Sequence, residues 1–460
     1  MKESYIKSIV LGARGAFLIV LSAYFFIFPF GRLLIDLNDP ALSNGEIPRF
    51  TFRWHKELSP KIEDWANERV RLNAAQDLSV HDVSGTEWPI FSSVYYLWAT
   101  EALQDAWEKD PTLSTVAPAE YAAEAIEATA TLIADPNHAN WVKQHWGDDY
   151  LTQENIFYRM LLMSGLLSYQ NLTKDTQYEA LLRWQVETLS AELEASPHGL
   201  LDDYPGQCYP IDILPAIAII QRSEMVLSSD YAAFVDRSKR GFSGSRLDPQ
   251  LQLPTYVANS ISGEGLGPAR GVGISYLLIW APELWPEVAA DWYAKYEAEF
   301  LDDRGWVVGV REYALASEKS EWGFEIDAGP IMSGFGTAAS AFGIGAARSN
   351  GRIDHAYPLI TEALVFTWPL PNGTLLTTLP LSNFSEAPFI GETALLFTFT
   401  RQPQTADLIF PDSSHWPWAT YLGLGFYLSF GNWGLLRGGK FISLALSSAN
   451  NPKRLGRSGS

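Results

Sequence analysis

The chain has 460 residues, of which 47% are hydrophobic and 13% aromatic, including 17 Trp. That composition excludes a disordered chain, and a net charge of −20 argues against a nucleic-acid partner, because phosphate contacts need clustered Lys and Arg. The single cysteine, Cys208, excludes an intrachain disulfide and a CxxC zinc site, and none of the seven histidines forms an HExxH pair, so neither a metal nor another cofactor is expected.

The N-terminus reads as a membrane segment. Gly15 to Gly31 carries no charge, and with Ile9–Ala13 it makes a stretch broken only by Arg14, about the 20 residues that a bilayer span needs. Lys2, Lys7 and Arg14 lie on its N-terminal side, which places the N-terminus in the cytoplasm and the main domain outside. A cleaved signal peptide is the rival reading. Leu21-Ser22-Ala23 is a poor cleavage site and apolar residues continue from Tyr24 to Phe30, so residues 1–38 are expected to be an uncleaved anchor.

From residue 39 to 400 the pattern is helical. Apolar residues recur at spacings of three and four in Ile62–Ala75, Pro89–Trp107, Tyr121–Ala134, Thr152–Tyr169, Gln177–Leu193 and Ile211–Val226. They do so again in Tyr231–Lys239, Gly273–Trp280, Val288–Phe300, Ile331–Ala347, Tyr357–Phe366 and Pro388–Thr398. Turn residues such as Thr173-Lys174-Asp175 and Ser349-Asn350-Gly351 join them as antiparallel hairpins. Amphipathic helices alternate with ones that are apolar nearly all round, as two concentric layers require. About a dozen helices in that order predict an all-α fold, an (α/α)6 barrel with an N-terminal transmembrane helix; an irregular helical domain is the alternative. Gly334-Phe335-Gly336 has no strand before it and is read as close helix packing rather than a dinucleotide loop.

Residues 401–446 contain a second apolar stretch, Trp418 to Leu436, followed by Arg437 and Lys440. Its four glycines and Asn432 leave two readings open, a last buried helix of the barrel or a second span. Residues 447–460 form a polar, basic tail expected to be disordered.

Five helix starts carry acids, aromatics or arginine: Glu87-Trp88-Pro89, Glu154-Asn155 with Tyr158, the run Asp202-Asp203-Tyr204 to Cys208-Tyr209 and Asp212, Arg270, and Glu325-Ile326-Asp327 after Trp322. Helix N-termini favour carboxylates, so each acid alone reads as a cap. Together, in a barrel where inner helix starts line one funnel, they predict an acidic, aromatic pocket suited to general acid/base work. Cys208 stands just before an apolar helix, a position that stabilises a thiolate.

The stretch from Trp146 to Arg348 resembles the linalool dehydratase/isomerase family. The resemblance is carried by Glu154-Asn155-Ile156-Phe157-Tyr158, Leu161–Tyr169, Thr173-Lys174 and Tyr178-Glu179-Ala180. It continues from Glu194 through Pro197 and Gly199 to Gln207-Cys208, and in Val310-Arg311-Glu312 before a Gly-rich helix. It implies an (α/α)6 barrel that dehydrates or isomerises a tertiary monoterpene alcohol without metal or cofactor, using cysteine, histidine, tyrosine and aspartate. It also implies a possible homo-oligomer, and it matches Cys208 to a family active-site cysteine. Leu161 stands where the family has its catalytic histidine, Phe157 replaces the methionine beside it, and Leu201 stands near the place of a second pocket cysteine.

The leading expectation is therefore a cofactor-independent lyase or isomerase acting on a small hydroxylated or lipidic substrate. Cys208, Asp202, Asp203, Glu325 and Asp327 would move protons. Trp88, Glu154, Tyr158, Tyr204, Tyr209, Asp212, Arg270 and Trp322 would bind substrate. A glycan hydrolase or lyase with paired carboxylates is the second reading. A non-catalytic, membrane-anchored binding protein is the third.

Overall fold

A computed structural model describes residues 2–450 apart from 80, 381, 383–385 and 414. The basic tail from 451 onward lies outside the described residues, while 447–450 continue the last helix instead of being disordered. The chain is mostly helical. α1 (Lys2–Ser22) runs through one π-helical turn (Ala23–Ile27) into α2 (Phe28–Asp36), and α3 (Ala41–Asn44) and α4 (Arg49–Leu72) follow. Next come α5 (Val83–Lys109), α6 (Pro118–Tyr121), α7 (Ala123–Ala134), α8 (Asn140–Trp146), α9 (Ile156–Thr173) and α10 (Glu179–Ala195). Then follow α11 (Pro210–Arg222), α12 (Glu224–Leu227), α13 (Ala232–Ser238), α14 (Gly271–Leu284) and α15 (Pro286–Glu299). After five short strands the chain ends with α16 (Thr337–Ser349), α17 (Ile353–Phe366), α18 (Ile390–Phe399) and α19 (Trp418–Asn450).

The apolar helices find one another. α5 packs on α9, α9 on α11, α11 on α14, α14 on α16, α16 on α18, and α18 back on α5, a closed circuit. The amphipathic helices α4, α7, α10, α13, α15 and α17 pack against this circuit from outside with their apolar stripes. Inside it lies an aromatic plug. Trp98 meets Trp280 with ring centroids 4.6 Å apart, and Phe397 sits 5.0 Å from Trp98 and 5.9 Å from Trp280. The guanidiniums of Arg222 and Arg401 lie over the Trp280 and Phe397 rings. Filling the middle with Trp and Phe buries large apolar area and leaves the helix N-termini as the end free for chemistry.

Two expectations are corrected by local chemistry. α4 starts at Arg49 instead of Ile62, because Phe50, Phe52, Leu58 and Ser59 are buried and Pro60 is accommodated inside the helix. Residues 331–336 are a strand, a turn and a second strand, not the start of a helix. β1 (Leu301–Asp303) pairs with β2 (Val308–Val310), and β3 (Gly323–Glu325), β4 (Gly329–Met332) and β5 (Phe335–Gly336) form an antiparallel sheet. Ser333 and Gly334 make the β4–β5 turn at φ of 54° and 87°, which a helix cannot accept. The Gly334-Phe335-Gly336 run is thus a strand turn rather than helix packing.

Tyr5–Asp36 is the one helix among the described residues that is long and apolar enough by itself to cross a membrane. α19 lies antiparallel along it. Ser8 Oγ donates to the Ala445 carbonyl at 2.6 Å, and Phe26 stacks on Phe430 at 5.9 Å. Small residues let the backbones close. A Cβ added to Gly434 would lie 1.7 Å from Ser22 Oγ, and one on Gly15 2.7 Å from the Gly438 carbonyl. Outward, α19 exposes Leu422, Trp433 and Leu436, so it is not a buried barrel helix. Gly434→Leu should force the pair apart and lower its stability by about 1–3 kcal/mol. Faster tryptic cleavage at Arg437 in detergent is the readout.

Candidate functional site

The loop between α10 and α11 is held by its own acids. The Glu154 carboxylate accepts from the Asp202 backbone N–H at 2.7 Å, and the Asp202 carboxylate accepts from Gly206 N at 2.6 Å. Asn155, at φ 44°, turns the chain into α9. Asp202 and Glu154 are thereby engaged as loop staples. They bring Asp203, Tyr204, Tyr209 and Asp212 to the start of α11, where the free N–H groups of the first turn favour a carboxyl.

Four acids converge there. Asp212 comes from α11, Asp203 from the loop, Glu87 from α5 and Asp327 from the β3–β4 turn. The Tyr204 hydroxyl donates a short hydrogen bond to Glu87. The Tyr256 hydroxyl donates to Asp327 at 2.6 Å, and Tyr209 N donates to Asp203 Oδ2 at 2.6 Å. Asp203 Oδ1 is buried with no hydrogen-bond partner. Burial, then the charges of Asp327 and Glu87, pushes the Asp212 carboxyl far above the usual range. Burial and the Asp212 charge do the same to Asp203. Burial, opposed by the Tyr204 hydrogen bond and reinforced by Asp327, pushes Glu87 up to about 7.

Asp212 is the hub. After burial, its charge is among the causes that raise Tyr95, Tyr276, Tyr204, Tyr209 and Tyr256. These groups form a cluster graded in burial, referred to below as the funnel: Asp203 and Asp212 are buried with Tyr95 and Tyr276, Glu87, Tyr204 and Tyr209 are half-buried, and Asp327 is exposed.

Arg270 braces one side. Its Nε donates to Glu312 at 2.6 Å, and its guanidinium lies 4.4 Å from the Tyr256 ring centroid. Glu325 stands 3.8 Å from Arg270 and accepts from the Tyr313 hydroxyl at 3.0 Å, on the rim. This arrangement depends on Gly271. Its N–H donates to the Glu312 carbonyl at 2.9 Å, and a Cβ there would lie 1.9 Å from the Arg311 carbonyl oxygen. Gly271→Ala should therefore cost about 2–3 kcal/mol by forcing this strand off the helix start. A chemical-denaturation midpoint well below that of the unchanged protein is the check.

Several expected site residues stand elsewhere. Trp322 is 67% exposed on the chain entering β3. Trp88 is half-buried next to Glu87 on α5, about 100° round the helix from it. Tyr158 packs edge-on to Trp141 and against Tyr150, and the charges that reach it are those of Tyr150 and Asp135. Cys208 is fully buried, its carbonyl accepting from Ala258 N at 2.9 Å. Burial and the charges of Asp203, Asp202, Glu154 and Asp212 push its thiol up, which reverses the expected thiolate. A helix start lowers a thiol only when acids do not crowd it.

Tyr95, Tyr256 and Tyr276 were not picked out from the sequence, and Glu87 was noted at a helix start but given no role. Glu87, Phe91 and Tyr95 share one face of α5 at steps of four, a signal present in the sequence but masked by the adjacent Trp88. His145 also belongs here: its ring packs 4.8 Å from Tyr204, while Trp146 Nε1 donates to the Asp203 carbonyl at 3.2 Å. Leu161 is buried, and Phe157 packs 6.0 Å from Tyr204.

Two hollows, about 420 and 610 Å³, lie away from the funnel, one beside Asp36 and Trp54 and one on the surface by Tyr293 and Arg352. Among the described residues, no group of three or more His, Cys, Asp or Glu is placed to hold a metal ion. No protein-family model matches the chain, and no curated protein matches it.

Proposed function

We propose that the chain is a membrane-anchored (α/α)6 barrel of the linalool dehydratase/isomerase-like kind, a lyase or isomerase that moves protons on a small, hydroxylated, lipid-partitioning substrate without a cofactor. The observation that carries this reading is the convergence, among Tyr95, Tyr204 and Tyr276, of Asp212, whose carboxyl is pushed far up by burial and by the charges of Asp327 and Glu87, with Glu87, pushed up to about 7. A neutral carboxylic acid is a proton donor and a poised one a base, the two partners that dehydration needs. Asp212 gives its proton to the substrate hydroxyl, the C–O bond breaks and water leaves. The Glu87 carboxylate takes a proton from the neighbouring carbon, giving an alkene, and the proton returns to Asp212 through the released water. Re-addition of that water at an allylic carbon gives isomerisation.

Aromatic walls suit an apolar substrate and a carbocation-like transition state. The glycan reading uses the same acids, but of its platforms Trp88, Tyr204 and Trp322 only Tyr204 meets them, through Glu87. Cys208 serves in this reading as a small neutral wall. Two spans, α1 and α19, hold the barrel, with Lys2, Lys7, Arg14, Arg437 and Lys440 towards the cytoplasm and the barrel outside.

The test is a turnover screen of the full-length protein in lipid nanodiscs against tertiary allylic alcohols and oligosaccharides. Alcohol turnover that falls less than about tenfold in Cys208→Ala supports the carboxyl chemistry, since a neutral wall methyl moves no proton. Cleavage of saccharides alone would replace it with the glycan reading.

A further inference from the structure

The strongly exposed apolar side chains of the β3–β4 hairpin have no role in the funnel itself. Trp322, Phe324, Ile326 and Met332 are each more than half exposed, a group of large apolar residues on a small sheet. The same hairpin turn delivers Asp327 to Tyr256, so one face of the hairpin completes the funnel mouth while these side chains stand free.

The hairpin is also tied to the root of the terminal helices. Arg304 Nη2 donates to the Ser333 carbonyl at 2.8 Å, joining the β1–β2 turn to the β4–β5 turn. Two residues on, the Trp306 carbonyl accepts from Ala419 N at 2.8 Å, at the first turn of α19. Around that root stand Trp416 and Trp418, each packed on Tyr421, and Trp368, whose Nε1 donates to the Phe25 carbonyl at 2.7 Å. Trp and Tyr gather at the headgroup level of bilayers because one end of each ring is apolar and the other hydrogen-bonds.

We infer that the funnel opens onto the bilayer: the β3–β4 hairpin, with Trp322, Phe324 and Ile326, sits in the headgroup region and passes an amphipathic alcohol from the lipid to the acids at Asp327. This rests on the two-span reading above, and it extends the aromatic belt at the root of α1 and α19 across the rim. The occupant is a zwitterionic lipid surface. Of the charges that border the hairpin, Glu321 lies 3.6 Å from Arg311, Glu325 3.8 Å from Arg270 and Glu318 adjoins Lys319, so the rim offers no positive excess to hold an anionic one.

Nitroxide labels on the full-length protein in phosphatidylcholine nanodiscs test it. Label sites are Phe324→Cys and Ile326→Cys on the rim, Leu436→Cys on α19, and Met225→Cys, which is 91% exposed beyond the other end of α11. The native Cys208 is buried and stays unlabelled. The expected result is an oxygen-to-nickel-chelate collision ratio several-fold higher at 324 and 326 than at 225, approaching that at 436. A water-like ratio at 324 and 326 with a lipid-like ratio at 436 overturns the rim contact and leaves the anchor standing. Water-like ratios at all four sites overturn both. Loss of nickel-chelate access without a gain in oxygen access identifies a second protein copy as the occupant and also overturns the inference.

Discussion

Asp212→Asn should leave a folded protein whose turnover is lower by about a thousandfold, within the range of 10²–10⁴ that a general acid contributes. The substitution keeps the shape and removes only the proton that the hydroxyl needs. The same change should stabilise the fold at alkaline pH. Asp212 is a buried carboxyl with no cation against it, and its ionisation is resisted by burial and by Asp327 and Glu87. Asn cannot ionise, so the penalty disappears, while at pH 5 the two proteins should melt together because Asp212 is already neutral. A variant that is more stable and less active is the signature of a site that trades stability for chemistry. Equal losses of stability and turnover would instead mark Asp212 as a structural group.

The second large effect is a stability that declines from acidic towards neutral pH. Burial raises Glu87, Glu312, Glu362 and Glu392 from an ordinary 4.5 to about 7, and raises Asp203 and Asp212 as well. For each, the folded state binds more protons than the unfolded chain above pH 4.5. Stability is therefore fully present below that value and is lost as pH climbs through the folded pKa. A displacement of this size is worth at most about 3 kcal/mol per fully buried group, and less for the half-buried Glu87. Buried His55 and His138 act in the opposite sense. Burial lowers them to about 3 and about 4, so their contribution is lost as pH falls below the ordinary imidazole value of 6.5. The acids outnumber the histidines, so the net effect is a melting temperature that falls between about pH 4.5 and 7, the interval between their unfolded and folded values. Differential scanning calorimetry across that range is the check; a melting temperature that rises from pH 5 to 7 contradicts the protonated acids.

Much of this architecture was legible in the chain. Helices reveal themselves through period, and the longer ones from α5 to α18 fall where apolar residues repeat at three and four, whereas the short α6, α8 and α12 were not distinguished. The strands did not, because each has only two to four residues and Gly323, Gly329, Gly334 and Gly336 read equally well as loop or close packing. The funnel was legible as a place rather than as a list. Loop acids at helix starts pointed to it, yet Asp202 and Glu154 are spent on backbone N–H groups, which no spacing reveals. Glu87 and Tyr256 are joined to Tyr204 and Asp327 across 117 and 71 residues, distances over which a single sequence gives no signal. Cys208 shows the same limit in electrostatics: its helix start and the three acids within six residues of it were visible, but their burial around the thiol, with Glu154 brought in from another segment, was not.

The most direct test of the proton-moving funnel is to incubate the full-length protein in lipid nanodiscs with a tertiary allylic alcohol in deuterated water, with nothing else added. The account predicts alkene, with carbon-bound deuterium confined to alcohol re-formed by hydration of that alkene, produced by the unchanged protein and about a thousandfold more slowly by Asp212→Asn. A well-folded protein that returns the alcohol unconverted would contradict it.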